Sequence, residues 1–241
     1  MTRFWLAVQF LTRLPTPATP DFQPQLLVES ARWFPLVGLL LGALLALPLW
    51  LGAQLDPWLL AWLGLMAWAW LTGGLHLDGL ADLADGLGAA HRDRARLLAV
   101  MKDPHLGSFG VLALILQCSA KLVLLMLLAR AQGWAALWLI PAWARLGPLF
   151  WQGLPPLAPG LAEAFSWRIP QRARLLWLLA LLALSAWLAP ALLLAPLLLW
   201  TYHAWLRRKL GGVSGDCLGA GIELVESALL LAAVLGLKLL N

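Results

Sequence analysis

The sequence predicts an all-α membrane protein, a helical bundle with about seven transmembrane helices. Two observations support this class: 62% of the 241 residues are hydrophobic, and the mean hydropathy is +0.81. A third is that long apolar stretches recur with few charges between them, as membrane spans require. Because no internal repeat or separate soluble domain is visible, we expect residues 1–241 to form one integral membrane catalytic domain.

Each span needs roughly 20 apolar residues to cross the hydrocarbon core. Five stretches can do so as single helices: 36–53, 57–75, 109–129, 134–151 and 222–240. The apolar stretch 175–206 would reach about 48 Å as one helix, beyond a core of about 30 Å. Because Pro190 and Pro196 interrupt it, we expect a hairpin of two short helices, 175–189 and 191–206, one of which need not be fully inserted.

Charge placement predicts the orientation of these spans. Most of the 17 lysines and arginines fall in four segments between them: 1–35, 76–108, 152–174 and 207–221. Positively charged loops stay in the cytoplasm, so we expect a multi-pass protein of the cell inner membrane whose active-site loops face the cytoplasm. The net charge of +5 does not indicate nucleic acid, because the basic residues stand in small groups beside the spans, where topology and the anionic lipid bilayer explain them.

The most informative motif is a run of three aspartates, Asp78, Asp82 and Asp85. On a helix they fall within about 60° of one another, while leucines such as Leu80 and Leu83 lie on the opposite side. Carboxylates this close would protonate or disfavour folding unless a cation lay among them, and Mg²⁺ is the best candidate. The alternative is an exposed amphipathic helix, but acids beside membrane spans are functional candidates by default.

A second motif, 211–226, combines glycines with acids. Gly211, Gly212 and Gly215 give the backbone the freedom to approach a phosphate, although glycine is equally common where membrane helices pack. Both interpretations stay open for each glycine. Asp216 beside this turn, and Glu223 further along, favour phosphate binding.

Five other residues are weaker candidates. Lys102 could bind a phosphate and Asp103 could ligate a metal or accept a proton, against ordinary loop chemistry as the alternative. Lys121 and Arg145 fall inside predicted spans, where a charge must be paired, face a polar cavity or extend to the interface. His76 could be a ligand or a proton shuttle, but a lone histidine near a membrane surface is more often structural.

These motifs closely resemble the cobalamin synthase family, also called adenosylcobinamide-GDP ribazoletransferase, in order and spacing over nearly the whole chain. The segments that carry the resemblance are FLTRLPTP at 10–17, FPLVG at 34–38, HLDGLADLADG at 76–86, MKDPHLG at 101–107 and GGVSGDCLGAGIELVE at 211–226. One departure is Ser214, which stands where the family usually has threonine and keeps the hydroxyl.

The resemblance implies an enzyme of late vitamin B12 synthesis that joins adenosylcobinamide-GDP to α-ribazole or its 5′-phosphate and releases GMP with the help of Mg²⁺. Asp78, Asp82 and Asp85 would hold the metal, with Asp82 and Asp85 also catalytic, and one of Asp103 and Asp216 would be the base and the other a metal ligand. The candidate substrate-binding residues are Arg13, His76, Lys102, Lys121, Arg145, Gly211, Gly212, Ser214, Gly215 and Glu223.

The sequence has two alternative interpretations, a divalent-cation transporter and a membrane scaffold. A divalent-cation membrane transporter would distribute its ionisable residues across several spans, whereas this chain gathers them at one surface beside glycine-rich loops. A membrane scaffold would not need the three aspartates. The sequence leaves open whether the protein forms a homo-oligomer or assembles with other late enzymes of the B12 pathway.

Overall fold

The computed structural model describes residues 2–17, 24–90, 93–157 and 170–240, and within these ranges the chain forms helices and no strand. The helices are α1 (Thr2–Leu11), α2 (Pro24–Ser30), α3 (Phe34–Leu51), α4 (Pro57–Thr72), α5 (Leu75–Ala89), α6 (Arg94–Val100), α7 (Ser108–Arg130), α8 (Trp134–Trp151), α9 (Gln171–Leu188), α10 (Ala195–Lys209) and α11 (Gly215–Leu240). Short 3₁₀ helices at Ala31–Trp33 and Pro190–Leu194 precede α3 and α10. The predicted all-α class is confirmed.

Within the described ranges, four helical stretches are long and apolar enough to cross a membrane: Leu26–Leu51, α7, α9 and Gly215–Leu239. A fifth is available if α4 and α5, which meet at 87°, count together as one broken span. The chain is therefore a membrane protein, but the predicted count of seven spans is not confirmed. In the hairpin, the 3₁₀ turn at Pro190–Leu194 leaves α10 only 15 residues, about 22 Å of helix.

Helix α8 lies at the centre of the bundle, with nearly every side chain buried. Helix α3 packs directly on it at Gly38 and Gly42, where an added Cβ would overlap the backbone of Ala142 and Trp138 respectively. Small residues four positions apart allow two membrane helices to approach this closely. The indole nitrogen of Trp138 also donates to the Leu39 carbonyl oxygen at 3.1 Å, so packing and a hydrogen bond fix the same pair of helices.

The close approach of α3 and α8 predicts a stability effect. Gly42→Ala places a methyl group against the Trp138 carbonyl, so the helices must shift, and we expect the free energy of unfolding to fall by roughly 1–3 kcal/mol. Gly64→Ala is the matched control, because its Cβ would lie 3.6 Å from the Leu49 side chain, an ordinary contact. Thermal unfolding in detergent tests this, and equal stability of the two variants would contradict it.

The predicted helix over the three aspartates is confirmed as α5. It turns away from α4 at Gly73 and Gly74, whose φ values of +64° and +73° lie in the left-handed region that glycine adopts at little cost. Helix α11 then packs against α5, since a Cβ on Gly79 would lie 2.8 Å from the Asp216 carbonyl oxygen. The first turns of α5 and α11 thus lie side by side.

Candidate functional site

An open cleft of about 590 Å³ lies beside the turn between α4 and α5. Both Arg13 and Asp78 line it. The Arg13 amide donates to the Leu71 carbonyl oxygen at 2.7 Å, and its exposed side chain crosses Gly73, where any Cβ would overlap it. The cleft therefore has both a cation and a carboxylate in its lining.

A smaller, more closed cavity of about 150 Å³ lies between α5, α8 and α11. Most of its wall is apolar, and its polar side chains are His76, Asp78, Gln152 and Asp216. Asp78 lines both the cleft and the cavity. This carboxylate consequently stands between a large open space and a small enclosed one.

Four carboxylates interact electrostatically at this place. Asp82, partly buried on α5, has its pKa raised from 3.8 to about 6 by burial and then by the charges of Asp78, Asp216 and Asp85. Helix α5 is not one of the four long apolar helices that can cross a membrane on their own. A carboxyl with such a pKa is incompletely ionised near neutral pH, and a bound cation would favour its ionised form.

Asp85 is buried and already hydrogen-bonded. Its Oδ2 accepts from the Gly107 amide and its Oδ1 from the Gly110 amide, both at 2.8 Å. These are amides at the start of α7, which have no partner within the helix. Asp85 therefore anchors the 101–107 loop and α7 to α5, a contact across more than 20 residues of sequence that no local pattern indicates. Its role as a metal ligand stays a prediction.

The described carboxylates fit Mg²⁺ only if the substrate completes the site. Among the residues that the structure describes, no three histidine, cysteine, aspartate or glutamate side chains surround a common point as a finished metal site. Mg²⁺ usually takes one or two protein carboxylates and fills its remaining positions with water and substrate phosphates. Asp78, which lines the open cleft, and Asp82, one turn further along α5, match that need and are less buried than Asp85.

Ser214 begins α11. Its Oγ accepts a hydrogen bond from the Cys217 amide at 3.2 Å, an ordinary N-cap, and donates to Asp216 Oδ2 at 3.4 Å. The hydroxyl thus orients both the helix start and the carboxylate that lines the cavity. Threonine at this position would supply the same oxygen.

The glycines of the turn at 211–215 have two different environments. Gly211, with φ +68°, and the buried Gly212 lead into a short pairing in which Val213 exchanges two 2.9 Å backbone hydrogen bonds with segment 155–157. A Cβ on Gly212 would lie 2.5 Å from the Pro155 carbonyl oxygen, so packing explains this glycine. Gly215 instead has open space before it and lines the closed cavity. The predicted role in substrate binding has geometric support at Gly215 alone.

The 101–107 loop holds Lys102 and Asp103, both exposed. Asp103 accepts from the His105 amide at 3.0 Å and lies 2.7 Å from the His105 ring Nδ1, and these hydrogen bonds lower its pKa. Neither residue lines the cleft or the cavity. Of the two bases that the sequence offered, Asp216 is the one that the structure brings to the other acids.

Lys121 and Arg145 are paired inside the bundle. Lys121 Nζ lies 2.7 Å from Glu223 Oε2 and 2.6 Å from Glu226 Oε2, and Arg145 Nη1 lies 2.8 Å from Glu226 Oε1. Gln117 Nε2 also donates to Glu223 Oε2 at 2.9 Å. All four charged side chains are buried. The pairing that a charge in a span requires is therefore present, and it joins α7, α8 and α11 rather than reaching the cleft.

Two polar side chains that line the closed cavity lack the pairing seen in this network. His76 and Gln152 are buried, yet none of their side-chain nitrogen and oxygen atoms has a hydrogen-bond partner among the described residues. Burial, together with the charges of Arg145 and Lys121, lowers the pKa of His76 well below its usual value, so its ring is neutral at pH 7. The sequence did not predict Gln152 as a site residue. The only feature that could have indicated it is its polar side chain just after the apolar stretch 134–151.

Comparison with known proteins gives a consistent result. The family model described as cobalamin-5-phosphate synthase matches residues 3–234. Proteins named adenosylcobinamide-GDP ribazoletransferase are similar over almost their whole lengths: 64% identical in Laribacter hongkongensis, covering 97% of both chains, 55% in Thiobacillus denitrificans, covering 97% of this chain and 95% of that one, and 52% in Novosphingobium aromaticivorans, covering 98% of both. No solved structure matches the chain.

Proposed function

The chain belongs to the cobalamin-5-phosphate synthase family, and we propose that the cleft and cavity on either side of Asp78 form the active site of an adenosylcobinamide-GDP ribazoletransferase. The enzyme joins adenosylcobinamide-GDP to α-ribazole or its 5′-phosphate and so completes cobalamin synthesis. The observation that carries this assignment is the position of Asp78, next to Asp82 and Asp216, between two spaces of different size.

The diphosphate of adenosylcobinamide-GDP would lie in the open cleft. Arg13, exposed in the cleft lining, can donate to phosphate oxygens, whereas Asp78, with Asp82 one turn along α5, would hold Mg²⁺. When bound, Mg²⁺ supplies positive charge for the phosphate oxygens as the transferred phosphorus changes partners. The cleft volume of about 590 Å³ and its openness to solvent suit a substrate much larger than the cleft itself.

The transfer itself needs one bond to form and one to break. A ribose hydroxyl oxygen of ribazole attacks the phosphorus nearer the cobinamide, and the bond from that phosphorus to the GMP oxygen breaks. Asp216 accepts the hydroxyl proton, a role supported by its place on the cavity wall beside Asp78 and by the hydrogen bond from Ser214 that orients it. GMP leaves through the open cleft.

Membrane placement follows from the same proposal. The protein would lie in the cell inner membrane with this site facing the cytoplasm, as the basic segments between spans favour. A divalent-cation transporter would need unpaired acids along a path through the bundle. The two buried glutamates, Glu223 and Glu226, are instead paired with Lys121 and Arg145, and no described contact favours transport.

A metal-dependent assay tests the proposal directly. Purified protein in detergent is given adenosylcobinamide-GDP and α-ribazole, with Mg²⁺ or with a chelator, and released GMP is measured. We expect GMP and the joined cobamide in equal amounts with Mg²⁺ and neither with the chelator. Protein that moves divalent cations across a vesicle membrane but releases no GMP would contradict the assignment.

A further inference from the structure

The closed cavity contains hydrogen-bonding groups that the reaction proposed above does not use. His76 and Gln152 are each only 3% exposed, and each has two side-chain polar atoms without a partner among the described residues. A buried polar group without a partner is costly, and folded proteins keep few of them. Two such side chains on the wall of one cavity indicate that a bound molecule supplies their partners.

Apart from these two side chains and the carboxylates Asp78 and Asp216, the cavity wall is apolar and includes flat rings. Phe10 and Phe34 stack with their centroids 5.8 Å apart and their planes within 16°, and Leu218 and Ile222 lie on α11 beside them. The volume of about 150 Å³ is small. Apolar walls with a few fixed polar groups are the usual lining for a small aromatic ligand.

The position of the cavity limits which part of a substrate can enter it. Asp78 and Asp216 belong to the same wall as His76 and Gln152. A ring held by His76 and Gln152 would therefore carry its attached sugar next to these carboxylates. This is where the proposed reaction needs the attacking hydroxyl.

We propose that the closed cavity binds the aromatic base of the incoming nucleoside, with His76 and Gln152 as its hydrogen-bonding partners. This inference rests on the proposed function and deepens it by assigning the base of ribazole to one side of Asp78 and the guanine nucleotide to the other. The two ring nitrogens of His76 and the amide of Gln152 present four unpaired polar atoms, enough for one ring nitrogen and a sugar hydroxyl.

The lining favours a benzimidazole base over guanine. A ribosylated benzimidazole has a single free ring nitrogen, an acceptor, and its remaining edge is apolar. Guanine presents N7, O6 and an amino group, a larger set of polar groups to satisfy on a wall that is apolar apart from His76, Gln152 and the two carboxylates that the reaction uses. In the open cleft, water can form hydrogen bonds with these polar groups of guanine.

Gln152→Leu tests the hydrogen bond. We expect the KM for α-ribazole to rise about fivefold, the effect of one neutral hydrogen bond, and the KM for adenosylcobinamide-GDP to stay within about twofold. Thermal stability should not fall, since an unpaired buried amide is removed. The matched control is Gln117→Leu, another buried glutamine, whose amide is paired with Glu223. It should lose stability and keep the KM for ribazole.

Ile222→Phe tests whether the base occupies this cavity, because it adds a ring to the cavity wall. Calorimetry with α-ribazole alone should show at least a tenfold weaker affinity than for the wild-type protein, about 1.4 kcal/mol, with binding of adenosylcobinamide-GDP unchanged. Weaker binding of adenosylcobinamide-GDP instead would put guanine in the cavity and overturn the proposal. Wild-type ribazole affinity in both Gln152→Leu and Ile222→Phe would also overturn it.

These outcomes are distinct from failure of the proposed function. Wild-type protein that binds α-ribazole in calorimetry but releases no GMP would refute the reaction and leave the base site intact. Wild-type protein that releases GMP, while both cavity variants bind ribazole normally, would refute the base site and leave the reaction intact.

Discussion

The Asp82→Asn protein is expected to fold and insert normally and to release GMP at less than about one hundredth of the wild-type rate. Substituting a residue that hydrogen-bonds to a metal ligand already lowers metal affinity or activity by up to about a hundredfold, and Asp82 would contact the metal itself. Asparagine has nearly the same shape and removes one of the four charges that interact at this place. The variant should therefore be no less stable, because like-charge repulsion is relieved.

The measurement is GMP release by purified variant and wild-type protein at equal concentration, with thermal unfolding of both. Glu29→Gln is the matched control, since it removes a carboxylate that pairs with Arg3 on the surface, away from the cleft and the cavity. It should keep full activity. Near-normal GMP release by the Asp82 variant would remove the metal from the account, whereas an unstable variant would show that Asp82 has a structural role.

The Glu226→Gln protein is expected to lose about 3–5 kcal/mol of unfolding free energy, the usual cost of leaving a buried charge without its partner. Glu226 contacts both Lys121 and Arg145. With Glu226 neutral, Glu223 alone must balance two cations, in a bundle where none of the four side chains reaches water.

Restoring neutrality should recover much of this loss. Arg145→Met combined with Glu226→Gln removes one charge of each sign and keeps the pair between Lys121 and Glu223. Thermal unfolding in one detergent would compare the single and double variants. A double variant less stable than the single one would contradict the view that these residues serve mainly to hold α7, α8 and α11 together.

Local sequence patterns predicted the helices well because hydrophobicity and helix breakers act over short distances. Helix α8 lies at 134–151 as predicted. The predicted count of seven spans is not confirmed, since α10, which starts only after the 3₁₀ turn at Pro190–Leu194, has 15 residues. Spacing also predicted that the three aspartates share one helix, but not that Asp85 would use both oxygens to hold the start of α7.

The site was predictable where acids and glycines stand together in the sequence and not where it depends on tertiary contacts. Asp216 was a candidate from its motif, and the structure brings it beside Asp82. Gln152 was not, because a single glutamine after an apolar stretch has no distinguishing pattern. Its importance comes from its burial without a partner in a cavity that residues of five separate helices line.

The central claim is that Asp78 and Asp82 of α5 bind Mg²⁺ and, through it, a diphosphate. Isothermal titration of GDP into the detergent-solubilised protein, with Mg²⁺ and with a chelator, tests it most directly. We expect binding only with Mg²⁺, and by linkage a tighter affinity for Mg²⁺ when GDP is present, both lost in Asp82→Asn. Equal GDP affinity with and without the metal would contradict the claim.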